Sequence, residues 1–106
     1  MMAGVEVEFR APLWEWDARR TDTWTFVSLP TEVADDVLEV ASARGAERGF
    51  GSVRVEVRVG TTTWRTSLFP DGKAGTYVLP IKKAVRAAEG LSTGDELAVR
   101  LRLLDV

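Results

Sequence analysis

The chain has 106 residues, 45% of them apolar and 28% charged, and a net charge of −2. That is enough for one domain around one core, at the composition of an ordinary globular protein. It contains no cysteine and no histidine, which excludes disulfides, thiol nucleophiles, imidazole acid–base catalysis and Cys/His zinc sites together. No apolar run approaches the roughly 18 residues of a membrane-spanning helix. The first residues, Met1 to Glu6, lack the basic-then-apolar pattern of a secretion signal, so the expected location is cytoplasmic by default.

Residues 4–10 alternate, with Val5, Val7 and Phe9 on one face and Glu6, Glu8 and Arg10 on the other. This is the pattern of a half-buried antiparallel strand. Pro12 should end or bulge it, and Trp14 and Trp16 then share one side. Asp17–Asp22 is polar and reads as a loop. Trp24–Leu29 is a second strand, rich in aromatic and β-branched residues and stopped by Pro30. A helix over 31–43 follows, with Thr31 as its expected cap and Val33, Val37 and Val40 at helical spacing beside Ala34 and Ala41. It should stop before Gly45. Gly49-Phe50-Gly51 is too short for a phosphate loop and reads as a tight lead-in, with Phe50 in the core.

The stretch from Gly49 to Pro70 reads as a β-hairpin. Val53, Val55, Val57 and Val59 point inward, and Arg54, Glu56 and Arg58 point outward. Gly60-Thr61 fits a two-residue turn. That turn places Val57 opposite Trp64, Val55 opposite Thr66, and Glu56 opposite Arg65 as a cross-strand ion pair. A turn-rich loop, Pro70–Gly75, leads to a short strand at Thr76–Leu79, ended by Pro80. Ile81, Ala84, Val85 and Ala88 predict an amphipathic helix over 81–89, with Gly90 after its end and Leu91 folded back on it. Residues 96–103 alternate again, with Leu97, Val99, Leu101 and Leu103 inward.

One pattern occurs twice: strand, Leu-Pro, amphipathic helix, Gly, alternating strand. The two Leu-Pro pairs, Leu29-Pro30 and Leu79-Pro80, stand 50 residues apart. A pseudo-twofold repeat around one barrel core accounts for this, since closure hides strand edges. The expected fold is therefore mainly β, a single β-barrel domain over 1–106 with two short helices.

The motifs Trp24–Pro30, Gly49–Val55, Trp64–Pro70, Gly75–Arg86 and Gly94-Asp95 carry a resemblance. The chain as a whole resembles a family of small, functionally uncharacterised bacterial and archaeal proteins with a double-split β-barrel. The resemblance implies that fold and no agreed catalytic set. Family members can stand alone or precede a domain similar to the YdeI/OmpD-associated type. Residues 77–103 also look like the AbrB/MazE-type swapped-hairpin domain, through Val78-Leu79-Pro80, Lys82, Val85-Arg86, Leu91, Gly94-Asp95 and Val99. That similarity suggests that one chain encodes two half-barrels in tandem. DNA binding does not come with the fold.

Charge is unevenly spread. Residues 1–48 carry five basic and ten acidic side chains, and residues 49–106 carry nine and six. Arg54, Arg65, Ser67, Lys82, Lys83 and Arg86 are therefore a candidate polar, basic face for a phosphate or carboxylate. Trp14, Trp16, Trp24 and Trp64 are a candidate aromatic rim for a sugar, base or peptide, with core packing as the plainer alternative. Ser52, Thr66 and Ser67 have no base to activate them. Asp35-Asp36 and Asp71 lack metal-loop spacing, and no cofactor or metal is expected. The leading expectation is a non-catalytic binding module for an anionic small molecule or an acidic protein partner, as a monomer or weak homodimer. The alternatives are an AbrB-like nucleic-acid-binding regulator, disfavoured by a pI of about 5.2, and an enzyme working without His or Cys. A small concave basic pocket would favour a ligand, a continuous basic surface would favour nucleic acid, and interleaved signs would favour neither.

Overall fold

The structure, a computed structural model, describes residues 6–16, 24–43 and 51–104. The loop expected at 17–22, the stop of the first helix before Gly45 and the Phe50 anchor lie outside the described residues. Seven strands and two helices occur within them: β1 (Glu6–Pro12), β2 (Trp14–Trp16), β3 (Trp24–Ser28), α1 (Thr31–Ala43), β4 (Val53–Val59), β5 (Thr62–Asp71), β6 (Thr76–Pro80), α2 (Lys83–Glu89) and β7 (Glu96–Leu103). The strands form one antiparallel sheet in the order β1-β7-β4-β5-β6-β3-β2, curled into a half-barrel.

Both edges of that sheet belong to one stretch of chain. β1 pairs with β7, β2 pairs with β3, and only Leu13 separates them. Leu13 is held where they part: its N–H donates to the Asp95 carbonyl and its own carbonyl accepts from Gly94 N–H, both at 2.8 Å. β5 behaves the same way, pairing with β4 through Leu68 and with β6 from Phe69 onward. Each change of partner lies beside a proline, Pro12 or Pro70. Proline has no N–H, so no ladder bond is lost where a strand leaves one neighbour for another.

Each helix-containing unit is preceded by a strand that changes partner. Corresponding strands pair with one another, β3 with β6 and β4 with β7. Two buried threonines lock the first of these pairs. Thr25 Oγ1 donates to the Ile81 carbonyl and Thr76 Oγ1 donates to the Leu29 carbonyl, each at 2.7 Å. Burying these hydroxyls carries little penalty because both are satisfied.

The hairpin has the expected register, with Val57 opposite Trp64, Val55 opposite Thr66 and Glu56 opposite Arg65. Gly60 sits at φ +60° in the turn, a conformation that costs other residues. The inward residues Val55, Val57, Leu68, Leu79 and Leu101 are fully buried. α1 adds Ala34, Val37 and Ala41 to the same core.

Three helix details differ from expectation. Thr31 is the first helical residue of α1 rather than its cap, and the Pro30 carbonyl accepts the first N–H groups, from Val33 and Ala34. α2 begins at Lys83, with Lys82 extended before it, so Ile81 belongs to the preceding segment. Ala84 and Ala88 are exposed. This later start turns the buried stripe of α2 onto Val85 alone, supplemented by Leu91 after the left-handed Gly90.

Candidate functional site

Strand alternation leaves one outer face on the sheet, opposite the core, and the register divides it in two. The β1-β7-β4 end carries charge in rows. The first row reads Glu6, Arg102, Glu56, Arg65 across four strands. Arg102 Nη2 hydrogen-bonds Glu56, and Arg65 approaches the same carboxylate at 3.8 Å. The expected Glu56–Arg65 pair is present, but β7 supplies the closer partner.

The second row reads Glu8, Arg100, Arg58, Thr63. Arg100 donates from Nε and Nη2 to Glu8 Oε2, both at 2.9 Å. Arg58 stands directly opposite Arg100, a like-charge pairing that disfavours the sheet. Its Nε turns to the Gly60 carbonyl at 3.3 Å. Among the described residues, Arg10 makes no ion pair and its guanidinium no hydrogen bond.

The next row explains a basin. Arg10 lies opposite Ala98, and Gly60 follows the Val59–Val99 pair on the far side of Ala98. A methyl group and a bare backbone sit where longer side chains would rise. The result is an open cavity of about 570 Å³ lined by Glu8, Arg10, Arg58, Gly60, Ala98 and Arg100, among others. Three arginines and one glutamate are among its lining residues.

The β6-β3-β2 end of the same face, with Phe69 of β5, is largely apolar. Trp14 lies opposite Phe26 and Trp16 opposite Trp24. Trp14 and Phe26 have centroids 5.1 Å apart, and Trp24 stacks toward Phe26 at 6.4 Å with planes 13° apart. Pro80 continues the row from Phe26, and Val78 links Ser28 to Phe69. Trp14 is oriented by its indole N–H, which donates to Ser28 Oγ at 2.9 Å. Trp16 and Trp24 are each 55% exposed and Phe69 is 46% exposed. Exposed aromatic clusters of this kind mark interaction surfaces more often than chance.

The residues proposed from sequence are dispersed. Arg54 and Ser67 lie opposite each other on the outer face, and Arg65 is on that face beside Glu56. Lys82, Lys83 and Arg86 belong to α2 and the residue before it, which pack through Val85 on the valine side of the sheet. The six do not form one surface, because strand alternation sends the two sets to opposite sides. Lys82 and Lys83 are exposed, while Arg86 is half-buried with an unbonded Nε among the described residues. Trp14, Trp16 and Trp24 do meet. Trp64 faces inward and packs half-buried against the core.

One further polar contact ties α2 to the hairpin tip. Glu89 Oε2 accepts from Thr62 Oγ1 at 2.5 Å and from Thr61 N–H and Oγ1 at 3.3 Å. The Thr62 hydrogen bond holds its carboxyl below the usual glutamate value. A Cβ on Gly60 would come within 2.1 Å of Glu89 Oε1, so glycine there serves both the turn and this clasp. Burial pushes the Tyr77 hydroxyl above its ordinary value.

Among the described residues, no group of three acidic side chains gathers as a metal site. Residues 9–101 match the family described as a domain of unknown function, DUF1905. The chain belongs to the DUF1905 family. No curated protein matches it. The DUF1905 match runs from Phe9 to Leu101, so it takes in the aromatic platform and the basin lining apart from Glu8.

Proposed function

We propose that the chain is a non-catalytic binding module that holds an anionic group, a carboxylate or phosphate, in the basin among Arg10, Arg58 and Arg100. One observation carries the reading. Arg10, Arg58 and Arg100 line the basin around Ala98, and Glu8, bonded to Arg100, is the one acidic residue of that lining. Arginine's fork of donors suits planar and tetrahedral oxyanions. An anion there would also relieve the Arg58–Arg100 opposition. Outside the basin, positive and negative residues alternate along the first row, which argues against a continuous track for a polyanion.

The test is calorimetry and thermal shift with inorganic phosphate and with succinate, at low and moderate salt. Both anions should bind the wild type, and Arg58→Ala should weaken them by about tenfold or more, as expected for loss of a charge-assisted contact. Ala98→Leu should raise the floor of the basin and weaken binding in a protein that still melts cooperatively. Anion binding unchanged in both variants would overturn the proposal. So would tighter binding to oligonucleotides of any sequence that vanishes with salt.

A further inference from the structure

We infer that the basin and the aromatic platform are two ends of one docking surface, and that its partner is an extended peptide. That peptide carries an acidic residue and, four and six positions along, apolar residues. The inference rests on the anion-binding reading of the basin and adds the second half of the ligand.

The Glu6–Trp16 segment joins the two ends. Phe9, Ala11 and Leu13 are all buried, so the alternation passes through Leu13 without a slip. Arg10, Pro12, Trp14 and Trp16 consequently share the outward side. Four strand residues span about 13 Å. An extended peptide has the same rise and the same alternation. A carboxylate in the basin therefore brings its fourth and sixth neighbours over Trp14 and Trp16. Pro12, exposed between them, has no N–H, and β7 places the exposed Glu96 opposite it, so the peptide positions between its acidic and apolar residues must be uncharged or basic.

The charge pattern selects this partner. The basin is cationic, whereas the platform residues Trp14, Trp16, Trp24, Phe26 and Pro80 carry none of the cations that a nucleic acid backbone would need. The rings offer separate stations in register across two strands, not the enclosed tunnel that an acyl chain would fill. β5 supplies an internal control. Arg65 and Phe69 have the same four-residue spacing, but Arg65 faces Glu56, which already engages it.

The probe is a nine-residue Ser/Gly peptide with Glu at position 2 and Leu at positions 6 and 8, together with its reversed sequence. Indole fluorescence and calorimetry follow binding. One of the two should bind at least about tenfold more tightly than peptides carrying only the Glu or only the leucines, since each contact contributes on the order of 1.4 kcal/mol or more. Moving the leucines by one position should remove that gain, because it turns them to the other side. Trp24→Ala and Arg58→Ala should each weaken the spaced peptide, and Arg65→Ala should not.

If Arg58→Ala weakens phosphate while Trp24→Ala and the spacing change leave the peptide untouched, this inference falls and the anion site stands. If phosphate ignores Arg58→Ala, the anion site itself falls. A fatty acid that shifts the indole emission and displaces the peptide through the platform alone would overturn the peptide assignment.

Discussion

The two ends of the outer face are built on the same backbone and differ only in what the register pairs. At the β1-β7-β4 end, Glu6, Glu8 and Glu56 each lie opposite an arginine from another strand, while Glu96 lies opposite Pro12. At the β5-β6-β3-β2 end, indole meets indole or phenyl. Cross-strand pairing has sorted the surface, like a zip with two kinds of teeth. The charged rows largely satisfy themselves, since Glu56 takes Arg102 and Arg65 and Glu8 takes Arg100. The aromatic rows leave half of two indoles in water. The proposed binding surface lies where sorting leaves a remainder: the arginines of the basin and the uncovered rings.

The largest effects should be blind to this division, because one core underlies both ends. Leu101 lies beneath the charged rows and Leu79 beneath the aromatic ones, and both are fully buried. Leu101→Ala and Leu79→Ala should each cost about 2–5 kcal/mol in urea unfolding. A loss below about 1 kcal/mol for either would mean that its half is not packed as described.

Much of the fold was legible because alternation is local. Val53 to Val59 and Leu97 to Leu103 announce their buried faces without any knowledge of their neighbours. The Gly60-Thr61 turn then fixed the β4–β5 register residue by residue. The partner changes at Leu13 and Leu68 were not legible, since they depend on which distant strand arrives. The basin was hidden for the same reason. Arg10, Arg58 and Arg100 are separated by more than 40 residues in each step, and only the β1–β7 and β4–β7 registers bring them around Ala98. Charge along the sequence does not separate Arg54 and Arg65 from Lys82 and Arg86, whereas the strand register and the inward-packed Val85 place them on different sides of the sheet. Three of the four tryptophans did gather. Phe26, two residues from Trp24, could have been added by alternation alone.

Salt should separate the two ends more sharply than stability does. Glu56→Ala leaves Arg102 and Arg65 without their carboxylate and should cost about 0.2–1 kcal/mol, shrinking in 1 M NaCl. Trp24→Ala removes a ring stacked on Phe26 and should cost about 0.5–1.5 kcal/mol, with no loss of effect in salt. Unfolding curves of both variants at two salt concentrations check this. An equal salt response would dissolve the distinction between the halves.

Glu89 offers the smallest and most specific test, because among the described residues it is a carboxylate held by hydroxyls and an N–H and by no cation. Its partners are the hydroxyls of Thr61 and Thr62 and the Thr61 N–H. These donors favour the ionised form in the folded state, so the carboxyl sits below its ordinary value. A carboxyl depressed by folding stabilises the fold when pH is above the unfolded-state value. That contribution is lost as pH falls through the folded one. Glu89→Gln should therefore lower the melting temperature at pH 7 by a small amount. The gap to wild type should close as pH drops below the usual glutamate range. Unlike the Glu56 effect, it should persist in high salt, since neutral dipoles rather than a screened ion pair hold the charge. A gap that stayed constant with pH would mean that the clasp contributes through packing of Glu89 against Gly60 instead.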